Sequence, residues 1–258
     1  MNYERPKTGI DSFQLKCLGI FFMTLDHIGS YLVAGVGPNL FRTAGRIAAP
    51  LFLYVAVSSA HHTRNKLRYV LRLYIAHVLI CLITLFLTTC MRDVFGEHEQ
   101  FSILPAFIYM IFIIWIREEC RKPLFQILSI GMLILPNILL LLSGPFSEIC
   151  HIFLPDLLSV PYSPFFVMMG ICWYYAKSRE KQMYILVAFS CLALIGAQIV
   201  GRLNIWLYTD FFQASQFWMI LFLPLLFLYN GQQGKPIRKF FYVYYPLHVY
   251  VLMLIGQW

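Results

Sequence analysis

Charge is what this chain has least of. Of 258 residues only 12% are charged, with 12 acidic against 20 basic side chains, while 60% are hydrophobic. A soluble domain of this size keeps much of its surface in water and cannot hide that much apolar side chain, so lipid is the natural solvent. Period-two alternation of apolar and polar residues is also missing, which argues against a membrane β-barrel. Unbroken runs such as LICLITLFL and LILPNILLLL instead call for helices, whose backbone hydrogen bonds close within the segment. The seven cysteines (Cys17, Cys81, Cys90, Cys120, Cys150, Cys172 and Cys191) are odd in number and scattered, with no CxxC pair and no metal-ligand spacing. They read as apolar packing residues, and no metal is expected. No internal repeat or low-complexity tract is visible.

What is present is a series of apolar stretches near 13–34, 40–61, 68–90, 101–116, 124–143, 165–176, 183–201, 216–229 and 241–257. They predict an all-α, polytopic membrane bundle of about nine transmembrane helices, forming one domain over residues 1–258. The first run has basic residues before it, as a signal peptide does, but Asp26 and His27 lie inside it and no small-residue cleavage site follows, so it reads as a retained helix.

The formal net charge of +8 is explained by topology rather than by nucleic acid. Basic clusters fall at every second boundary: Arg5, Lys7 and Lys16; Arg64, Lys66, Arg68 and Arg72; Arg117, Arg121 and Lys122; Lys177, Arg179 and Lys181; and Lys235, Arg238 and Lys239. By the positive-inside rule the N-terminus is cytoplasmic, in a multi-pass protein of the inner or plasma membrane. Segment 144–164 holds no Lys or Arg and reads as an ordered outer loop, in part re-entrant. Arg92 belongs to a polar loop, and Arg202 to a helix end beside Asn204.

The remaining exceptions are Arg42 and Arg46, at i and i+4 in LFRTAGRIAAPLFLYVAVSSA, hence on one helix face. Arg42 reads as a snorkelling residue at the outer interface or as a substrate contact. Pro50 cannot donate to the carbonyl of Arg46, so a kink is expected there. His27 lies seven residues before Ala34 and Arg46 seven after Asn39, which sets both roughly 10 Å below the outer end of a helical hairpin. Ionisable groups at such depth are expensive unless they pair or line a wet cavity, so Asp26, His27 and Arg46 are candidates for one functional layer. Asp26 and His27 are adjacent and point different ways. Asp26 is expected to pair with an Arg, and His27 to face the reaction space. An Asp26–Arg46 pair that merely locks the hairpin is the competing reading. In the last span Pro246 opens the backbone near His248, with Tyr245 beside it; the pair offers a second acid-base or substrate group, or simply a partner for tyrosine hydroxyls. Arg64, Arg68 and Arg72 follow at i, i+4 and i+8, a basic stripe that anionic lipid or a phosphate-rich ligand would suit.

The runs LKCLGIFFMTLDHIGSY, FRTAGRIAAPLFLYVAVSSAHHTRNKLRYVLRLYIAH and FYVYYPLHVYVLML resemble the TraX family of F-pilin N-acetyltransferase-like membrane proteins. The shared elements are DHIG, R-x-x-G-R-x-x-x-P-x-F, TRN-x-x-x-Y-x-x-R-L and YPLH, over about a third of the chain. Ala49 and Ala60 depart from that pattern, at positions that carry no ionisable group. The resemblance implies transfer of an acetyl group from cytoplasmic acetyl-CoA to an extracytoplasmic acceptor, either a pilin or peptide amine or a glycan. In that scheme His27 is the general base, Asp26 and Arg46 complete the catalytic set, and Arg64, Lys66, Arg68 and Arg72 hold the CoA phosphates. Rival readings are a proton-coupled transporter or flippase and a non-catalytic membrane component of a conjugation or secretion system.

Overall fold

A computed structural model describes residues 9–33, 40–91, 102–143, 152–157, 160, 162–203, 211–235 and 238–256. Arg5, Lys7, Arg92, Asn204, the turn 34–39 and residues 144–151 lie outside them. Among the described residues the fold is all helical: α1 Ser12–Tyr31, α2 Leu40–Gly45, α3 Ala48–His62, α4 Lys66–Cys90, α5 Leu104–Glu118, α6 Pro123–Ser143, α7 Ser163–Tyr175, α8 Arg179–Leu203, a 3₁₀ helix Ala214–Phe222 continued by α9 Leu223–Leu228, and α10 Arg238–Ile255. Among the described residues, each stretch read as a span is therefore helical over most of its length. Among the described residues three helices are long and apolar enough to cross a membrane, namely Leu40–His62 taken through its break, Lys66–Cys90 and Arg179–Val200.

The ends follow local chemistry. Asp11 caps α1 by accepting from the Gln14 amide at 2.8 Å, and the Asp11 amide donates to Gln14 Oε1 at 3.0 Å, a reciprocal box. Asn65 caps α4 by accepting from the Arg68 amide at 2.9 Å. Proline opens α5, α6 and α9, where its missing N–H costs nothing.

Two elements depart from a plain α-helix. The expected kink is a full break: α2 ends at Gly45, Arg46 and Ile47 donate in 3₁₀ fashion to the carbonyls of Thr43 and Ala44 at 3.2 Å each, and α3 starts at Ala48. Pro50, which has no N–H to return to Arg46, explains why the helix cannot run through. The 3₁₀ helix is long for its type. Its three-residue period stacks Gln216, Met219 and Phe222 in one row, and all three are fully buried.

The chain divides into two compact units, Met1–Ser58 with Cys172–Trp258, and Ser59–Ile171. In the first, α1 packs on α2 and α10. The pairs Thr24 with Tyr244 and His27 with His248 advance together along both chains, so α1 and α10 run parallel. Arg179, at the start of α8, donates to the carbonyls of Phe227 (2.8 Å) and Tyr229 (2.5 Å) at the end of α9, so those two run antiparallel. The stretch before α1 is tied to the same end: Ile10 donates to the Leu228 carbonyl and Asn230 to that of Ile10, both at 2.9 Å.

In the second unit α5 packs between α4 and α6, and its Ala106, Met110, Ile111 and Ile114 are wholly buried. The outward faces of α4 and α6 are apolar, with Leu71, Leu79, Phe86, Ile127, Met132 and Leu142 all exposed. Such surfaces suit hydrocarbon and not water. Residues 152–157 are held inward by three bonds: Tyr74 donates to the Phe153 carbonyl (2.8 Å), Tyr109 to the Pro155 carbonyl (2.8 Å), and the Leu157 amide to Asn137 Oδ1 (2.9 Å). Tyr74 stands eight residues inside α4, about 12 Å along its axis, so residues 152–157 meet that helix well away from its start, and they carry a fully buried Asp156.

Candidate functional site

Consecutive residues on a helix diverge by about 100°, and α1 uses that divergence to give Asp26 and His27 different neighbours. Asp26 faces α2, where Arg42 Nη1 lies 3.5 Å from its Oδ1. The same Nη1 donates to Ser30 Oγ one turn along α1. Arg42 is therefore turned toward α1, and its side chain keeps 39% of its exposure against 16% for Asp26. Gly45 permits this approach, because a Cβ there would collide with the Asp26 side chain.

His27 faces α10. Its Nδ1 lies 2.9 Å from the Met23 carbonyl and 3.1 Å from Nε2 of His248, whose own Nδ1 lies 2.8 Å from the Tyr244 carbonyl. A carbonyl only accepts, so His248 carries its hydrogen on Nδ1 and presents a lone pair at Nε2. His27 Nδ1 then meets two acceptors and must be the protonated nitrogen. Nε2 of His27 is left with a lone pair, the form of imidazole that accepts a proton. The rings are 4.9 Å apart and inclined at 69°. Tyr244 stacks on His248 at 5.0 Å and binds Thr24 through its hydroxyl at 2.8 Å, while Tyr31 stacks on His27 at 6.0 Å. His248 is buried and His27 half-buried. Tyr245 lies 6.4 Å from His248, ring to ring.

Arg46 goes elsewhere. From the break between α2 and α3 its Nη1 reaches Gln216 Oε1 and its Nη2 reaches Gln213 Oε1, both at 3.4 Å. The expected layer is thus two adjoining groups, Asp26–Arg42 with His27–His248, and Arg46 with Gln213 and Gln216. The charges of both arginines act on Asp26. The two glutamines escaped the sequence reading because only a three-residue period reveals their shared row.

In the second unit Arg64, Arg68 and Arg72 are exposed. Arg64 precedes the Asn65 cap, so it is not in helical register with the other two. Lys66 is buried, with Nζ 2.8 Å from Glu119 Oε1 and 3.2 Å from Glu118 Oε2. Its charge is already met by two carboxylates. His77, fully buried beside Cys81 at 3.6 Å, and the group Tyr109, Asn137 and Asp156 are polar residues that hydropathy alone did not single out. Among the described residues no cluster of His, Cys, Asp and Glu could hold a metal ion.

Helices of membrane-spanning length and apolar character, with a hydrogen-bonded histidine pair between α1 and α10 and an Asp–Arg pair between α1 and α2, suggest a helical membrane protein. The particular family follows from comparison: the TraX protein family model matches residues 12–256, and the chain belongs to that family. Membership fits a conjugation-associated membrane protein. No curated protein and no solved structure matches the chain.

Proposed function

We propose that this protein is a membrane-embedded acetyltransferase, moving an acetyl group from cytoplasmic acetyl-CoA to an extracytoplasmic amine or glycan hydroxyl, with His27 as general base. The observation that carries the reading is the His27–His248 pair, which leaves His27 Nε2 unprotonated and its Nδ1–H held by acceptors. Family membership supports the reaction class. The run of α1 parallel to α10, and of α8 antiparallel to α9, agrees with a chain that crosses the inner membrane repeatedly from a cytoplasmic N-terminus.

In the reaction His27 Nε2 takes the proton of the acceptor N–H or O–H as that atom bonds to the thioester carbonyl carbon. The C–S bond then breaks, and the imidazolium returns its proton to the departing thiolate. His248 Nε2 accepts from the imidazolium Nδ1–H throughout, a positioning role resembling that of the third member of a hydrolase triad. Arg42, fixed by Asp26 and Ser30, is the cation whose charge reaches His27, and it would stabilise the developing oxyanion. The exposed Arg64, Arg68 and Arg72 suit the CoA phosphates; Lys66 does not, being neutralised by Glu118 and Glu119.

Incubating purified protein with radiolabelled acetyl-CoA and host membrane extract tests the proposal. Label passing to an extract component supports acetyl transfer and identifies the acceptor. Binding without turnover favours a non-catalytic partner, and proton-dependent solute movement without acetyl-CoA consumption favours a transporter.

A further inference from the structure

Tyr244 touches His248 twice. Its carbonyl accepts from His248 Nδ1 at 2.8 Å, and its ring lies 5.0 Å from the imidazole at an angle of only 4°. Phe240 stacks on the same tyrosine ring at 5.4 Å, so residues 240, 244 and 248, spaced by four, form a ladder along one face of α10. A further contact of Tyr244 crosses to α1, where its hydroxyl lies 2.8 Å from Thr24 Oγ1. The single hydroxyl hydrogen of Thr24 goes to the Ile20 carbonyl at 2.8 Å, and a carbonyl only accepts. The Tyr244 hydroxyl is therefore the donor to Thr24, and the direction of the interhelix bond is fixed.

Thr24 and Tyr244 stand about one turn from the histidines, three residues before His27 on α1 and four before His248 on α10. The hydroxyl bond thus lies roughly 5 Å along the seam from the bond between the two rings. Sliding or turning α10 against α1 stretches both bonds together. Between helices in lipid, where apolar side chains gain little from meeting each other, a hydroxyl pair fixes the register. That register matters because the Met23 carbonyl, 2.9 Å from His27 Nδ1, already receives the His27 backbone amide within α1. On its own it selects the Nδ1–H tautomer only weakly. His248 Nε2, at 3.1 Å, has to stay in place to complete the selection.

We infer that Thr24 and Tyr244 are positioning residues: their hydroxyl bond clamps α10 against α1 at the register that keeps His248 Nε2 on the Nδ1–H of His27. They act through His248 and not on the reacting atoms. Their role in the reaction rests on His27 as the general base proposed above, whereas their hold on the His27 tautomer is read without any acetyl transfer.

The test is nuclear magnetic resonance of the full-length protein in detergent with isotope-labelled histidine nitrogens, His27 being assigned by the signal that His27→Ala loses. In the wild type His27 should show one tautomer, with its hydrogen on Nδ1, and a coupling across the hydrogen bond to His248 Nε2. Thr24→Val keeps the branched shape and Tyr244→Phe keeps the stacked ring, so each guards against misfolding of the other. Both should lose the coupling and mix the tautomers. Their kcat for acetyl transfer should fall about three- to tenfold, less than when an orienting partner is removed outright, with KM for acetyl-CoA unchanged. Thr24→Ser, which returns the hydroxyl, should restore both readings. A wild type without the coupling overturns the clamp, as do variants that keep the wild-type histidine signals, whether or not kcat falls. Mixed tautomers with an unchanged kcat overturn the positioning role. A wild type that shows the coupling but transfers no acetyl group overturns the general-base reading instead and leaves the clamp standing.

Discussion

Nε2 of His248 lies 3.1 Å from Nδ1 of His27, joining the last helix of the chain to the first. The bond leaves His248 no free nitrogen for substrate, since its other ring nitrogen donates to the Tyr244 carbonyl at 2.8 Å. Its part is to hold one tautomer of His27. Replacing His248 with Ala should therefore lower kcat for acetyl transfer by about ten- to a hundredfold, as loss of an orienting partner does elsewhere, with KM for acetyl-CoA nearly unchanged. His248→Gln, whose amide oxygen can accept from His27, should recover part of the loss. Steady-state kinetics on the three proteins checks this.

Gly45 and Asp26 make the second prediction. A methyl group at position 45 would enter the space of the Asp26 side chain and push the carboxylate off Arg42. Gly45→Ala should cost about 1–3 kcal/mol, the range for overpacking a tight contact, read as a lowered unfolding midpoint in detergent. Gly131→Ala makes the control, since nothing lies within 4 Å of a Cβ there, and it should leave the midpoint unchanged or slightly raised.

The basic cluster at the start of α4 separates into two kinds of residue. Arg68→Ala and Arg72→Ala should raise KM for acetyl-CoA severalfold, each by removing an exposed cation suited to phosphate. Lys66→Ala should leave that KM alone and reduce stability instead, by about 1–3 kcal/mol, because Glu118 and Glu119 lose the charge between them. The two carboxylates are about a third exposed, which keeps the cost below that of a wholly buried pair. Acetyl-CoA titrations and thermal unfolding on the same preparations tell the two effects apart.

Much of this could be read from the chain itself. Apolar runs of the right length gave the helices, because in lipid the backbone has few other solutions. Asp26, His27 and His248 stood out because ionisable groups deep in such runs are costly. Partners were harder. Counting residues from the turn put Arg46 level with His27, but that count assumes an unbroken helix. The 3₁₀ turn at Arg46 and Ile47 redirects the side chain, so Arg42 takes Asp26 and Arg46 meets two glutamines some 170 positions away. Those glutamines were invisible to a 3.6-residue period. The burial of Lys66 was equally hidden, since its acidic partners lie at the far end of α5 and topology alone already accounts for a cation there.

His27 bears the central claim, and acetyl transfer by its alanine variant tests it most directly. Purified His27→Ala, compared with wild type at matched thermal stability and matched acetyl-CoA binding, should lose at least a hundredfold in labelled product, roughly the contribution of a positioned general base. A variant that folds, binds acetyl-CoA and turns over near the wild-type rate would contradict the account.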